Sequence, residues 1–185
     1  MYFMLECLTA LTGHRASIDY EPDVPLRDWG VGKRFASPPP TPIIAETTDE
    51  RKGQLAELIK VPLPLMSNGL AVVLEKAGVT NIDFYETEIQ DEEEACVHHS
   101  HLAFNLIGTI AAADLTKSNY FAEGEAIISA DFDSLVVDEN KTRGALMFRL
   151  AESVNGIVVH ESVKNAIEAA GIDTLTFIPP EEWVG

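Results

Sequence analysis

In the stretch NGLAVVLEKAG, Leu70, Val73, Leu74 and Ala77 fall at i, i+3, i+4 and i+7, which lines up one face of a helix. Ser67 stands where an N-cap belongs and Gly78 where a left-handed C-terminal cap is expected. The period then switches. VTNIDFYETEI alternates apolar and polar positions, with Val79, Ile82, Phe84 and Ile89 among the apolar ones, and predicts a strand. The same grammar recurs near the end, where ESVKNAIEAAG (161–171) places Val163, Ala166, Ile167 and Ala170 on one helical face. Gly171 stops that helix, and IDTLTFIPP supplies another alternating strand. At an offset of 93 the two units share Glu, Ala, Gly and Phe at matching positions. Two copies are too few for a solenoid, and a helix capped by Gly before a strand accounts for the likeness.

Between these units lie HLAFNLIGTIAAADL, EAIISADFDSLVVDE, ALMFRLAE and NGIVVHE, short runs rich in Val, Ile, Phe and Leu. Asn119, Gly124, Asn140, Gly144 and Asn155-Gly156 read as the turns between them. Such spacing leaves little room for crossover helices, so pairing should be mostly antiparallel. Upstream, GQLAELIK is a short amphipathic piece, and the two prolines of VPLPLMS suit an edge strand or a turn. RDWGVGKRFASPPPTP (27–42) holds two glycines and four prolines, which forbids long helices and central strands. The expected class is α+β: a mostly antiparallel sheet with a few short helices. The organisation expected is a single domain, 1–185. An irregular Pro/Gly-rich N-terminal segment, 1–60, would pack on a core formed by 61–185, with Trp29 and Phe35 as its anchors.

Charge changes the picture more than composition does. The chain has 185 residues, 46% hydrophobic and 23% charged, ordinary values for a globular protein that buries roughly two thirds of its unfolded surface. Thirty acids against thirteen Lys plus Arg give a net charge of -17. Such a field repels nucleic acid and anionic lipid, and it speeds encounter with a basic protein partner. Two cysteines, Cys7 and Cys96, make no disulfide framework. MYFMLECLTALTG lacks a basic n-region and carries Glu6 inside its apolar stretch, so it makes a poor signal peptide. No stretch reaches eighteen apolar residues. A cytoplasmic protein is expected.

Candidate chemistry is concentrated in QDEEEACVHHSHLAFNLIG (90–108). On a continuous strand over 97–106, His99 and His101 share one face, while His98, Leu102 and Phe104 share the other. Two histidines at i, i+2 can reach one zinc or iron, with Asp91, Glu92, Glu93 or Glu94 as a further, exposed ligand. No HExxH, CxxC or paired His-carboxylate spacing supports that set. The preferred reading is an exposed acidic loop entering an amphipathic strand. AIISADFDSLVV (126–137) ends an apolar run in Asp131-x-Asp133, the opening of a haloacid-dehalogenase phosphatase motif, but lacks the downstream acidic pair which that chemistry needs. Cys96 lies among acids, which blunt a thiol's nucleophilicity. Gly30-Val31-Gly32-Lys33 lacks the strand-helix context of a phosphate cradle. No catalytic residue, cofactor or metal is therefore assigned.

Four stretches carry a family resemblance: WGVGKRFASPPP; PLMSNGLAVVLEKAGVTNIDFYETEI; HLAFNLIGTIAAADLTKS; and MFRLAESVNGIVVHESVKNAIEAAGIDTLTFIPPEEW. From about Trp29 to Trp183 the chain resembles bacterial immunity proteins of the myxobacterial (MXAN) type, formerly a domain of unknown function, associated with polymorphic toxin systems. Ser67, Gly78, Asn81, Phe148, Arg149, Gly171 and Phe177 stand at family-like positions. The resemblance implies a non-enzymatic protein that binds a cognate toxin and blocks it. Residues proposed for the contact are Asp91, Glu92, Glu93 and Glu94, with Asp131 and Asp133. The alternatives are a small metal-dependent enzyme using His99 and His101, or a structural scaffold module.

Overall fold

The computed structural model describes residues 1–8, 13–20, 26–48, 50, 52–122, 130–153 and 155–185. Its first strands are β1 (Tyr2–Glu6), β2 (Ile18–Asp19), β3 (Ile43–Thr47), β4 (Leu58–Ile59) and β5 (Leu65–Ser67). Helix α1 (Asn68–Lys76) leads into β6 (Ile82–Asp91), β7 (Cys96–His98), β8 (His101–Leu106), β9 (Thr109–Ile110), β10 (Asn119–Phe121) and β11 (Asp131–Ser134). Helix α2 (Glu139–Thr142), β12 (Met147–Leu150), β13 (Ile157–His160), α3 (Glu161–Ala169) and β14 (Thr176–Ile178) complete the order. The class is α+β, and among the described residues every strand pairing except β3–β6 and β9–β12 is antiparallel.

Local signals act where the sequence places them. Ser67 caps α1, its hydroxyl accepting from the Leu70 N–H at 3.0 Å. Gly78 adopts φ 90° and Gly171 φ 79°, the left-handed geometry that ends each helix. Two turn expectations are corrected. Asn119 opens β10, and Asn140 lies within α2, whose N-cap is Asp138. Gly124 and residues 126–129 lie outside the described residues.

Among the described residues, three hydrophobic clusters alternate with two large sheets. The five-stranded sheet runs β14-β1-β13-β12-β9, and the other runs β2-β3-β6-β8-β5-β4, with β7 also paired to β6. Alternation sends Leu5, Ile157 and Val159 to one side of the first sheet and Tyr2, Met4 and Val158 to the other. Between the sheets, Leu70 and Leu74 of α1 and Val163 and Ile167 of α3 pack with Phe104 and Leu106 of β8. On the far face of the second sheet, Ala45, Ile89 and Ala103 meet Trp29. Trp29 is 2% exposed and stands edge-on to Phe35 and Tyr85, at centroid distances of 4.8 and 5.6 Å. Both aromatics thus anchor the glycine- and proline-rich stretch as expected.

Candidate functional site

The acidic run is a hairpin turn over a buried ion pair. β6 and β7 pair through Gln90↔Val97 and Asp91↔Cys96, leaving residues 92–95 to turn the chain, with Ala95 at φ 50°. Asp91, expected to be exposed beside Glu92, is instead buried with its side chain 0% exposed, because strand alternation directs it to the inner face of β6 with Ile89. There its carboxylate takes the Arg15 guanidinium, also 0% exposed, and His98 Nε2 at 2.9 Å. Asp91 Oδ1 accepts the Glu94 N–H at 3.1 Å, so the same residue also closes the turn. The Arg15 hydrogen bond, helped by His98 and opposed by burial, holds the Asp91 carboxyl well below the usual carboxylate range.

Glu92 and Glu93 project from the top of this turn into solvent. Glu94 is tied down, its Oε1 accepting the Gly53 N–H at 3.0 Å and standing 4.0 Å from Arg15. Asp131 and Asp133 are exposed on β11, where they flank buried Phe132. Asp133 Oδ2 accepts from the Asn119 amide at 3.3 Å. β11 pairs only with β10 among the described residues, so these two acids and the β6–β7 turn stand on separate sheets.

The histidine pair is corrected. Ile89 faces His98 and Glu86 faces Leu102, so three steps along β6 correspond to four on the returning chain. The extra residue is a bulge at His99-Ser100, and it reverses the alternation. His99 therefore points outward, its side chain 67% exposed and Nδ1 4.0 Å from Glu88. His101 turns inward and is 4% exposed. Both His101 ring nitrogens are engaged, Nδ1 with the Ser100 hydroxyl at 2.9 Å and Nε2 donating to the Ala56 carbonyl at 3.0 Å. Burial lowers its pKa and favours the neutral ring. A two-histidine metal site does not form.

What the fold assembles instead is Asp91, Glu94, Cys96 and His98, with ligand atoms within 4.8 Å of one another. Cys96 Sγ lies 3.7 Å from His98 Nε2. Arg15 already supplies the cation at this cluster's two carboxylates. Its contribution was not legible from the acidic run, since Arg15 lies 76 positions away in sequence.

A second feature is open and concave. Pro42, Asn68, Glu86, Thr87, Glu88, His99, His101 and Leu102 line a cleft of about 400 Å³ at the N-terminus of α1. Glu86 and Glu88 lie on the outward face of β6, and among the described residues the only ion pair that either carboxylate makes is that of Glu88 with His99.

No helix among the described residues is long and apolar enough to cross a membrane. No curated protein matches the sequence. Residues 11–182 match the family model described as Immunity protein family (Imm11), which spans nearly the whole chain. That agrees with the resemblance carried by the helix-Gly-strand units, and the chain belongs to this immunity protein family.

Proposed function

We propose that the protein neutralises a cognate polymorphic toxin in the producing cell's cytoplasm by stoichiometric binding, without chemistry of its own. Membership of an immunity family over residues 11–182 carries this reading. The net charge of -17 supports a basic toxin, since opposite fields speed encounter and penalise wrong partners. Glu92, Glu93 and Glu94, with Asp131 and Asp133, are the proposed acidic contacts. Asp91 acts beneath them, because its bonds to Arg15 and the Glu94 N–H keep the turn ordered before a partner arrives. A preordered turn loses less conformational freedom on association.

Co-expression with the product of the adjacent gene tests this. Survival with a co-purifying one-to-one complex that weakens as salt rises is expected. A neighbour that is not toxic, or a toxin that neither binds nor is blocked, refutes the reading.

A further inference from the structure

The outer face of the second sheet is covered at one end and bare at the other. α1 packs over Leu102, Phe104 and Leu106, but its first turn stops at Asn68, beside the cleft. Beyond that point the strand registers place Ile44 beside Glu88, Glu46 beside Gln90, and Gln90 beside Val97. Paired residues share a face, so these five side chains form one surface with Glu86. Ile44 is 42% exposed and Val97 47%, whereas Ala45, Thr87 and Ile89, at alternate positions on the same strands, are buried. A sheet face that leaves branched apolar side chains in water beside three carboxylates differs from an ordinary solvated face, which alternation would make polar throughout.

Resting on the proposed toxin binding, we propose that this face is where the toxin docks, by a segment that inserts an arginine or lysine into the Glu86–Glu88 cleft. Strand geometry sets Glu86 and Glu88 about 7 Å apart on one face, so a guanidinium can meet both carboxylates. Leu102 and Pro42 offer the aliphatic stem an apolar wall. Ile44 and Val97 flank the charges and supply area that excludes water around them, the arrangement that lets a few contacts dominate affinity. Charge complementarity selects the occupant. An anionic or purely apolar segment would desolvate Glu46, Glu86 and Glu88 with only His99 beside Glu88 to offset the cost.

The test is titration calorimetry of purified toxin against the wild type and Glu86→Lys/Glu88→Lys, paired with survival on co-expression. Glu75→Lys/Glu182→Lys makes the same charge change elsewhere. A loss of about a hundredfold in affinity and of protection in the first variant, with the control within about threefold of wild type, supports the docking face. Both variants are checked for wild-type thermal unfolding. If the reversal does not fold, Glu86→Gln/Glu88→Gln replaces it, with a loss of about tenfold expected. A folded cleft variant that binds and protects like wild type overturns the docking face while leaving toxin neutralisation standing. If the wild type itself neither binds nor protects, the functional reading fails first and the docking face with it.

Discussion

Arg15→Met should destabilise the protein far more than the loss of an ordinary ion pair. Both side chains of the Arg15–Asp91 pair are 0% exposed, so removing the guanidinium leaves a buried carboxylate with only His98 Nε2 and the Glu94 N–H to meet its charge. Breaking a buried pair from one side costs about 3–5 kcal/mol, against at most about 1 kcal/mol for a solvated pair. That is a large share of the roughly 5–15 kcal/mol by which domains are stable. Urea unfolding followed by tryptophan fluorescence reads the effect directly, since Trp29 sits in the adjoining cluster. Arg15→Met/Asp91→Asn should recover part of the loss, because the uncompensated charge is then gone. The acid limb supplies a second reading. Arg15 favours the charged form of Asp91 in the fold, so the contribution is fully present above the unfolded carboxyl value of about 4 and fades as pH falls below it. In Arg15→Met that fading should be shallower. A loss under about 1 kcal/mol with an unchanged acid limb would refute the argument.

His101 acts in the same direction as Asp91 but at a higher pH. Its folded pKa is lowered by burial, so stability should be full above the unfolded value of about 6.5 and decline as pH falls below it. His101→Asn should flatten the melting temperature between about pH 7.5 and 5. Glu152 is 6% exposed, its Oε2 has no hydrogen-bond partner among the described residues, and burial raises its pKa, so the fold favours its neutral form. Ionisation as pH rises above its unfolded value therefore destabilises the protein, and Glu152→Gln should raise the urea midpoint at pH 8. Ser67→Ala removes the α1 cap and should lower stability by about 1 kcal/mol in the same urea assay.

The parts of this fold that rest on local chemistry were legible in the sequence. Ser67, the stripe through Leu70 and Leu74, and Gly78 each act within one turn of helix, so residues a few places apart specify the outcome. Trp29 and Phe35 were legible for another reason, since large aromatics in a proline-rich stretch have few places to go but the core. The site was less legible. Asp91 looks like its acidic neighbours in DEEE, and only the pairing of β6 with β7 and the distant Arg15 distinguish it. The histidines were misplaced because strand alternation presumes unbroken pairing. One bulge at His99-Ser100 sent His101 inward, and no residue there announces a bulge as a glycine would. The cleft at Glu86 and Glu88 depends on where α1 stops over the sheet, which hydrophobic periodicity does not encode.

The position of β1 governs when the protein can exist at all. It precedes the other described strands in the chain, yet it lies between β13 and β14, pairing Met4 with Val158 on one side and with Ile178 on the other. A ribosome adding about 5–20 residues per second needs roughly ten to thirty seconds to make the intervening chain. Throughout that interval the apolar strand YFMLE has neither neighbour, and the five-stranded sheet cannot close. Folding of this sheet therefore depends on long-range closure, slow by the standards of chains built from local contacts. A chain ending before β13 would leave both β1 and β12 without the neighbour that joins them, so the sheet forms as a whole or not at all.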